Sequence, residues 1–448
     1  MHIRDLAGKS ICILGFGREG QAMLKALEEH APGCEVTIAD QNASVTLPTG
    51  SRHWLQVGDG WLNNLNKFDV IIKSPGIPPR AELTAYSLQL TSPSQIFFDS
   101  IADTGATVIG VTGSKGKSTT ASLIYHILRT SQQANPSTPL RAGKPTSHIL
   151  LVGNIGEPAI AHIADAKRGT IFVMEMSSYQ LMDLTVSPHI AVVTAFFPEH
   201  LDYHGSLEAY KEAKKHITRF QTKEDKVFFA ADSAGALEIA QESKGSRIPF
   251  SAADAPVAIE ETKLIGAHNA GNSAAAFLVS RELGVSKDSA IAAIRSFTPL
   301  PHRLQSLGMH HGIEWVDDSI STTPESAIAA LDALGDRVAT IILGGQDRGY
   351  DFSPLAERLK KSKVQTVILL PESGKRIRES LEKVNFQARV LDANNMEETV
   401  TFAKQHSLRP TPYALRPIVL LSPASPSYGH FKNFEERGDE FKNQIIDI

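Results

Sequence analysis

A glycine-rich segment, residues 109–120 (IGVTGSKGKSTT), carries the residue types that bind a nucleoside triphosphate. Gly113 and Gly116 have no Cβ, so backbone N–H groups can turn toward phosphate oxygens. Lys117 supplies a positive charge for the outer phosphates, and the Ser118 hydroxyl is placed to bind Mg²⁺. The glycine spacing is shorter than in the general P-loop pattern, and an ordinary turn is the alternative. An apolar strand before the loop and an amphipathic helix after it favour the phosphate site.

Two candidate metal ligands, Glu175 and His200, stand where predicted strands end. Glu175 belongs to the apolar run 171–176, and His200 comes just after the run 191–197. Ligands of an open parallel sheet bind at the carboxyl ends of its strands, so both side chains can converge on a metal ion beside Ser118. The plain alternative is an ordinary surface or internally bonded side chain at each position. The repeated placement after apolar strands favours the metal.

A second glycine turn, residues 15–20 (GFGREG), opens the first predicted helix. It is similar to a dinucleotide fingerprint but is shorter than G-x-G-x-x-G, so NAD is the less favoured ligand. A nucleoside diphosphate resting on the helix N-terminus fits better, with residues 74–76 (SPG) forming another loop at the same sheet edge and Asp40 ending the next strand. A purely structural turn remains the alternative.

The elements that must position these loops are short apolar strands alternating with amphipathic helices, which predicts an α/β fold with a mostly parallel central sheet. Residues 131–147, rich in Ser, Thr, Pro and Gln, are expected to form an exposed connection. The predicted strands are 10–17, 35–39, 70–73, 171–176, 191–197, 338–343, 366–370, 388–391 and 418–421. The predicted helices are 18–30, 118–129, 268–283 and 431–446.

Composition excludes several classes of protein. A chain of 448 residues exceeds one ordinary core, and about three domains are expected. Hydrophobic residues at 42% and charged residues at 21% are typical of a globular protein rather than a membrane or disordered one. The formal charge of -4 argues against nucleic-acid binding. Cys12 and Cys34 form neither a metal spacing nor a disulfide framework, and the chain begins without an apolar secretory stretch, so a reducing cytoplasm is expected.

Seven segments together resemble the Mur ligases of peptidoglycan synthesis: TGSKGKST, GNIG, EMSSYQL, EHLDYHGSLEAYKEAK, IGAHNAGN, FTPLPHR and LLSPASPSYGHFKNFEERGDEF. The match runs in order through nearly the whole chain, and the last segment is the most specific. The chain is most similar to the branch that adds D-glutamate to UDP-N-acetylmuramoyl-L-alanine. The resemblance implies three domains: a Rossmann-like UDP-substrate domain (1–105), a central P-loop ATPase-like domain (106–301) and a Rossmann-like glutamate domain (302–448).

The resemblance also implies a reaction and its cofactors. The substrate carboxylate takes the γ-phosphate of ATP to give an acyl phosphate, and the amine of glutamate then displaces phosphate. Two Mg²⁺ ions and a carbamylated lysine, Lys214, are implied; the implied catalytic residues are Lys117, Glu175, His200 and Lys214, and the implied metal ligands are Ser118, Glu175, His200 and Lys214. A lysine reacts with CO₂ only when unprotonated, so its pKa must be lowered. The alternative for Lys214 is a solvated helix lysine like Lys211.

The remaining implied contacts fall into three groups. The ATP contacts are Gly113, Ser114, Lys115, Gly116, Lys117, Ser118, Thr119, Asn269, Asn272, Arg303 and Asp318, together with His268. The contacts of the UDP-linked substrate are Arg18, Glu19, Asp40, Gln41, Ser74, Asn154, Ser177 and Gln180. The glutamate contacts are Arg348, Ser427, Tyr428 and Phe434. The asparagines at 269 and 272 could instead cap the helix that starts there.

One segment departs from the family pattern. The glutamate-adding branch commonly reads N-D-S-K-A-T-N, whereas residues 317–323 read DDSISTT, so Ile320 stands where lysine is expected. The loss of a cation beside an anionic amino acid removes one charge-assisted contact or moves it elsewhere, for example to Arg348. The departure also resembles ligases that add L-glutamate, which is therefore the alternative substrate.

Other functions remain as alternatives. A folylpolyglutamate or cyanophycin synthetase shares the central loop but has no need of the N-terminal glycine turn. A non-catalytic regulator or a switch ATPase would be favoured by the absence of Glu175, His200 or Lys214, and all three are present. We expect a monomer that acts on small molecules, with no nucleic-acid partner and no membrane insertion.

Overall fold

The computed structural model describes residues 1–47, 50–86, 89–134, 148–407 and 416–446. These residues form two compact units. The first unit comprises Met1–Thr262 and His268–Phe297, and the second comprises Lys263–Ala267 and Thr298–Ile448. The predicted exposed connection at 131–147 begins inside a helix, and its residues 135–147 lie outside the described part of the chain.

The first sheet is a parallel, five-stranded sheet in the order β3-β2-β1-β4-β5. Its strands are β1 (Ser10–Leu14), β2 (Glu35–Asp40), β3 (Trp54–Val57), β4 (Val70–Lys73) and β5 (Leu90–Thr91). Its helices are α1 (Arg18–His30), α2 (Ala81–Thr84) and α3 (Pro93–Ile101). Helix α1 buries an apolar stripe that includes Met23, Leu24 and Leu27, a spacing that places all three on one face.

The second sheet has six parallel strands in the order β11-β10-β9-β6-β8-β7. Its strands are β6 (Thr107–Thr112), β7 (Ile149–Gly153), β8 (Ile171–Glu175), β9 (Ile190–Val193), β10 (Lys226–Ala230) and β11 (Ser246–Phe250). Its helices are α4 (Lys117–Ala134), α5 (Ser178–Leu181), α6 (Leu201–His204), α7 (Leu207–Arg219), α8 (Ala234–Gln241), α9 (His268–Glu282) and α10 (Lys287–Ser296). Strands β6, β8 and β9 are adjacent, so their carboxyl ends meet at one edge.

The third sheet, in the second unit, runs in the order β12-β13-β17-β14-β15-β16, with only the β12–β13 pair antiparallel. Its strands are β12 (Gln305–His310), β13 (Ile313–Asp317), β14 (Val338–Gly345), β15 (Thr366–Glu372), β16 (Arg389–Asp392) and β17 (Ile418–Leu421). Its helices are α11 (Pro324–Leu334), α12 (Ser353–Lys360), α13 (Ser373–Lys383), α14 (Met396–His406) and α15 (Phe434–Ile446). Apolar clusters cover both faces of this sheet.

The predicted α/β class is confirmed, and the domain boundaries after residues 105 and 301 stay predictions. The predicted strand 191–197 is too long, because β9 ends at Val193. Beyond it, Phe197 N–H donates to the Ser114 hydroxyl instead of continuing a ladder. The predicted helix 118–129 is longer at both ends, and the last helix begins at Phe434 rather than at residue 431. In the described part of the chain, every helix is too short or too polar to cross a bilayer.

Candidate nucleotide and metal site

The loop between β6 and α4 can be built only with glycine at two positions. Gly113 has φ of +143° and Gly116 has φ of +86°, both in the region that favours glycine. A Cβ on Gly113 would overlap the Thr194 hydroxyl, and one on Gly116 would overlap the amide oxygen of Asn272. The loop backbone is therefore packed closely against neighbouring side chains.

Two side chains that sequence reasoning missed hold this loop. The Thr194 hydroxyl donates to the Lys115 carbonyl oxygen at 2.6 Å. The Ser114 hydroxyl donates to the Phe197 carbonyl oxygen at 2.7 Å and lies 3.0 Å from the Tyr210 hydroxyl. Two features of the sequence could have revealed these residues. Thr194 directly follows β9, and Tyr210 belongs to the segment YKEAK, which also contains Lys214.

Lys117 and its neighbours occupy the first turn of α4. The Lys117 ammonium donates to the carbonyl oxygens of Gly113, at 3.0 Å, and Ser114, at 2.8 Å. Ser118 and Thr119 are buried beside it. The first turn of a helix favours anions, so a cation and N–H groups stand together where phosphates would bind. Lys115, which precedes this turn, pairs instead with Glu199 at 2.7 Å.

Lys214 is buried beneath the same loop, so the alternative of a solvated helix lysine is wrong. Its side chain donates to the Gly113 carbonyl oxygen at 2.8 Å and its nitrogen lies 4.7 Å from the centroid of the Tyr210 ring. Burial, and then the charge of Lys117, lower the pKa of Lys214 well below its usual value, against the opposing effect of Glu199 and Glu175. An unprotonated amine is thereby favoured at the phosphate loop.

Glu175 is a buried carboxylate of which only one oxygen accepts a hydrogen bond from the described residues. Its Oε1 accepts a hydrogen bond from the Asn154 amide at 2.9 Å, whereas Oε2 has no hydrogen-bond partner among the described residues. Burial of a charged oxygen without a partner is costly, and a bound cation would remove that cost. Glu175 therefore fits a role as a metal ligand.

His200 sits in a strained, aromatic setting. It precedes α6 with φ of +56°, and its ring lies 5.1 Å from the Tyr179 ring and 6.0 Å from the Tyr210 ring. Non-glycine residues in this left-handed region are uncommon and cluster at functional sites. The described residues contain no cluster of three or more His, Cys, Asp and Glu suited to a metal.

The two asparagines of α9 face the phosphate loop. The Asn272 amide nitrogen donates to Asn269 Oδ1 at 2.8 Å, and Asn272 Oδ1 accepts from the Thr120 hydroxyl at 3.2 Å. Both asparagines are buried. They link α9, which starts at His268, to the helix that follows the loop.

At the first sheet, Asp40 and Ser74 close around the N-terminal glycine turn. Asp40 Oδ2 accepts from the Phe16 N–H at 2.7 Å, and the Ser74 hydroxyl donates to the Gly15 carbonyl oxygen at 2.8 Å. Gln41 is exposed beside Asp40. Two of the three predicted contacts of the UDP-linked substrate, Asp40 and Ser74, thus bond to one turn at the carboxyl edge of the sheet, and Gln41 is next to Asp40 in the chain.

Arg18 and Glu19, also predicted to contact that substrate, join this turn to loops of the second sheet. The Arg18 guanidinium donates to the Gly156 carbonyl oxygen at 2.7 Å, and Glu19 accepts from the Gln180 amide at 2.9 Å. Burial raises the pKa of Glu19. Ser177 caps α5 and accepts from the Gln180 N–H. The turn, the GNIG loop and α5 are therefore held together.

In the second unit, Asp318 is buried in a net of donors. Its Oδ2 accepts from the Ser321 hydroxyl at 2.5 Å and from the Ser422 hydroxyl at 2.8 Å, and its Oδ1 accepts from the Leu304 N–H at 3.1 Å. Burial raises the pKa of Asp318 to about 6, with Arg303 acting in the opposite direction. The Ile320 N–H donates to the His302 carbonyl oxygen at 3.1 Å.

The four predicted glutamate contacts also lie in this unit, at the carboxyl side of the third sheet. The Arg348 guanidinium lies 5.8 Å from the centroid of the Tyr428 ring. Ser427 is buried and lines a cavity of about 520 Å³. Phe434 is the first residue of α15. Arg348 and Tyr428 are thus brought together.

A P-loop, a buried lysine and a half-satisfied carboxylate at the edge of a parallel sheet are the features of a nucleotide-dependent enzyme. Residues 111–259 match the family described as Mur ligase middle domain, and residues 302–424 match the family described as Mur ligase, glutamate ligase domain. The chain belongs to the Mur ligase family and is an ATP-dependent amide ligase.

Named relatives cover the full chain. A protein of Salinispora tropica, named UDP-N-acetylmuramoyl-L-alanine--L-glutamate ligase, is 34% identical over 100% of this chain and 99% of its own length. A protein of Symbiobacterium thermophilum, named UDP-N-acetylmuramoylalanine--D-glutamate ligase, is 32% identical over 97% of each. The solved MurF ligase of Thermotoga maritima in complex with ADP is similar in fold, with a TM-score of 0.58 at 14% identity, over 100% of this chain and 97% of that one.

Proposed function

We propose that the chain joins glutamate to the alanyl carboxyl group of UDP-N-acetylmuramoyl-L-alanine and converts ATP to ADP and phosphate. The supporting observation is the meeting of Lys117 and Lys214 on the Gly113 carbonyl oxygen, at 3.0 and 2.8 Å. This arrangement provides a cation for the phosphates and, beside it, an amine suited to carbamylation. The relatives from Salinispora and Symbiobacterium carry names that specify this kind of substrate and glutamate.

The first step brings two anions together. An oxygen of the alanyl carboxylate attacks the γ-phosphorus of ATP, the bond from that phosphorus to the β-phosphate oxygen breaks, and an acyl phosphate and ADP form. Negative charge spreads over the transferring group, so Lys117 and the N–H groups of the glycine loop would stabilise it. Thr194 and Tyr210 bond to residues of the loop and would keep those donors in place.

The second step forms the amide. The glutamate nitrogen attacks the acyl carbonyl carbon, the carbon–oxygen bond to phosphate breaks with its electron pair going to phosphate, and the nitrogen gives its extra proton to the departing phosphate. Proximity supplies much of the rate when both partners are held in reach. Ser427, Tyr428, Phe434 and Arg348 are the residues that would hold glutamate for this attack.

The residues that would hold Mg²⁺ are Ser118, Glu175, His200 and a carbamylated Lys214. Divalent cations of this kind neutralise charge on phosphate oxygens. The Oε2 atom of Glu175, which has no hydrogen-bond partner among the described residues, fits such an ion, and a carbamate would turn the neutral amine of the buried Lys214 into an anionic ligand. Two ions are expected.

The UDP-linked substrate would span the first two sheets. Asp40, Gln41 and Ser74 surround the glycine turn that would receive the UDP end. The turn's next residues, Arg18 and Glu19, hold the loops that carry Asn154, Ser177 and Gln180, which would face the muramoyl part. We expect the reaction in the cytoplasm, in keeping with two cysteines that are buried and unpaired.

L-glutamate is the enantiomer that we infer, in place of the D-glutamate that the overall resemblance favours. Ile320 stands where the D-glutamate pattern has lysine, and Arg348 is the cation that we assign to a glutamate carboxylate. Two relatives named L-glutamate ligases are 34% and 33% identical, beside 32% for one named a D-glutamate ligase. Parallel assays with each enantiomer test this directly.

The proposed activity is tested by phosphate and ADP release from purified protein given ATP, Mg²⁺ and UDP-N-acetylmuramoyl-L-alanine. Release should require glutamate, and the product should gain the mass of one glutamyl residue. Equal release without any amino acid would favour a switch ATPase. If no phosphate is released with either L- or D-glutamate, the proposed ligation of glutamate is contradicted.

A further inference from the structure

His302 and Asp317 form a buried pair in the second unit. The two side chains meet with Nδ1 2.7 Å from Oδ2, and the residues are 7% and 1% exposed. The backbone of His302 is fixed on both sides, because its N–H donates to Gln305 and its carbonyl oxygen accepts from Ile320 N–H. A buried pair held this firmly differs from a surface ion pair, which contributes little.

The start of α15 packs directly on this pair through Phe434 and Gly438. The rings of His302 and Phe434 meet edge to face with centroids 6.2 Å apart. A Cβ on Gly438 would overlap the His302 ring and would lie 2.7 Å from Asp317 Oδ2. Only glycine allows the helix to approach so closely, so the position of the helix depends on the pair beneath it.

A second series of hydrogen bonds connects Asp317 to Phe434 at the start of the same helix. Asp317 Oδ1 accepts from Ser319 N–H at 2.9 Å, and the Ser319 hydroxyl donates to the Phe434 carbonyl oxygen at 2.8 Å. The Arg437 guanidinium donates to the Ser319 carbonyl oxygen at 2.8 Å. The ring and the backbone of Phe434 are therefore both fixed by groups that depend on Asp317.

We propose that the charged His302–Asp317 pair is a positioning device for Phe434, so that affinity for the amino-acid substrate falls when His302 loses its proton. The inference rests on the proposed function, since it takes Phe434 as a glutamate contact. His302 and Asp317 act through Phe434 and Ser319 and are positioning residues, with no direct role in the chemistry.

The charges around the imidazole determine the direction of the effect. The hydrogen bond with Asp317 raises the pKa of His302, burial opposes it, and Asp439 and Glu435 of α15 raise it further. The Arg437 guanidinium lies on the same helix and bonds to Ser319. A pKa raised by folding means that the pair is charged below that value and is lost as the pH rises through it. Glutamate affinity should therefore fall as the pH rises through the raised pKa of His302.

The test is Asp317→Asn, which keeps the shape of the side chain and removes its charge. Imidazole NMR titration gives the pKa of His302, and phosphate release gives the glutamate KM across the same pH range. In the wild type the glutamate KM should rise with an inflection at the pKa of His302. The variant should lower that pKa and move the inflection with it, and at neutral pH its glutamate KM should be roughly tenfold higher, with the KM for ATP and kcat changed little.

Glu28→Gln is the matched control, because it removes the carboxylate from another histidine pair, 2.9 Å from His53 at the first sheet. It should leave the glutamate KM and its pH profile unchanged. Should Asp317→Asn fail to fold, a wild-type inflection that differs from the NMR pKa of His302 overturns the proposal. An unshifted inflection in a folded variant overturns it too. A wild type that releases no phosphate with glutamate overturns the proposed function instead, and this inference with it.

Discussion

The side-chain nitrogens of Lys117 and Lys214 both donate to the Gly113 carbonyl oxygen, at 3.0 and 2.8 Å. Two full positive charges this close would repel each other, and the cost is largest in a buried setting. The neutral form of Lys214 relieves that repulsion. The phosphate loop thus favours the form of the lysine that can react with CO₂.

Lys214→Ala should remove most ligase activity, by about a hundredfold or more, because a charge-stabilising group beside the transferring phosphate is lost. Short carboxylates such as acetate should restore part of the rate by replacing the carbamate. The rate of phosphate release, with and without acetate, checks this. Lys211→Ala is the control, since Lys211 pairs with Glu238 away from the loop, and it should stay active. Full turnover by Lys214→Ala would refute the carbamate role.

Carbamate occupancy should fall as the pH falls. Burial lowers the pKa of Lys214, so its amine is neutral above that lowered pKa and becomes protonated below it. The ¹³C NMR signal of a carbamate, after exchange with labelled bicarbonate, should weaken in acid together with the rate of phosphate release. A rate that stays constant while the signal disappears would show that the carbamate is not needed.

Thr194→Val should raise the KM for ATP by about tenfold, because it removes the hydrogen bond to the Lys115 carbonyl oxygen and leaves that oxygen without its donor. Thr194→Ser keeps the hydroxyl and should be close to the wild type. Steady-state kinetics against ATP compares the two variants. A Thr194→Val variant with the wild-type KM for ATP would contradict a role for this hydrogen bond.

Asn154→Ala should weaken metal binding, since the Asn154 amide holds Glu175 Oε1 at 2.9 Å and orients the carboxylate. About tenfold more Mg²⁺ should be needed for half-maximal activity, and Mn²⁺ affinity measured by electron paramagnetic resonance in the presence of ADP should fall in parallel. Unchanged Mn²⁺ affinity with reduced activity would assign Asn154 to the substrate alone.

Arg348→Ala should raise the glutamate KM by about tenfold or more, because with isoleucine at 320 Arg348 is the proposed cation for a glutamate carboxylate. Arg358→Ala is the control in the same unit, because Arg358 lies on helix α12 and pairs with Asp332 at 2.6 Å. Glutamate-dependent phosphate release separates the two variants. If Arg348→Ala and the wild type have the same KM for glutamate, the glutamate carboxylate is bound by another residue.

Local sequence patterns predicted the elements well where glycine or proline stands beside the apolar pattern, as Gly17 does before α1 and Pro417 does before β17. Helix α1 (Arg18–His30) and strand β17 (Ile418–Leu421) have the predicted bounds. The strand after residue 190 was predicted too long, because apolar residues 195–197 continue the run while their backbone bonds to the phosphate loop. An apolar run alone does not reveal which partner its N–H groups take.

The candidate site was only partly predictable for a similar reason. The glycine loop and its lysine are adjacent in sequence, and their chemistry is readable there. The burial of Lys214 depends on packing of α7 against β6, and the pairing of His302 with Asp317 depends on how the third sheet closes. Such contacts between distant residues leave no periodic trace in the sequence.

The most direct test of the account is glutamate-dependent phosphate release from ATP, Mg²⁺ and UDP-N-acetylmuramoyl-L-alanine, run in parallel with L- and D-glutamate. We predict that phosphate and ADP form in equal amounts only when glutamate is present, with L-glutamate preferred, and that the product gains one glutamyl residue. Phosphate release that is the same with and without glutamate, or no product with either enantiomer, would contradict the account.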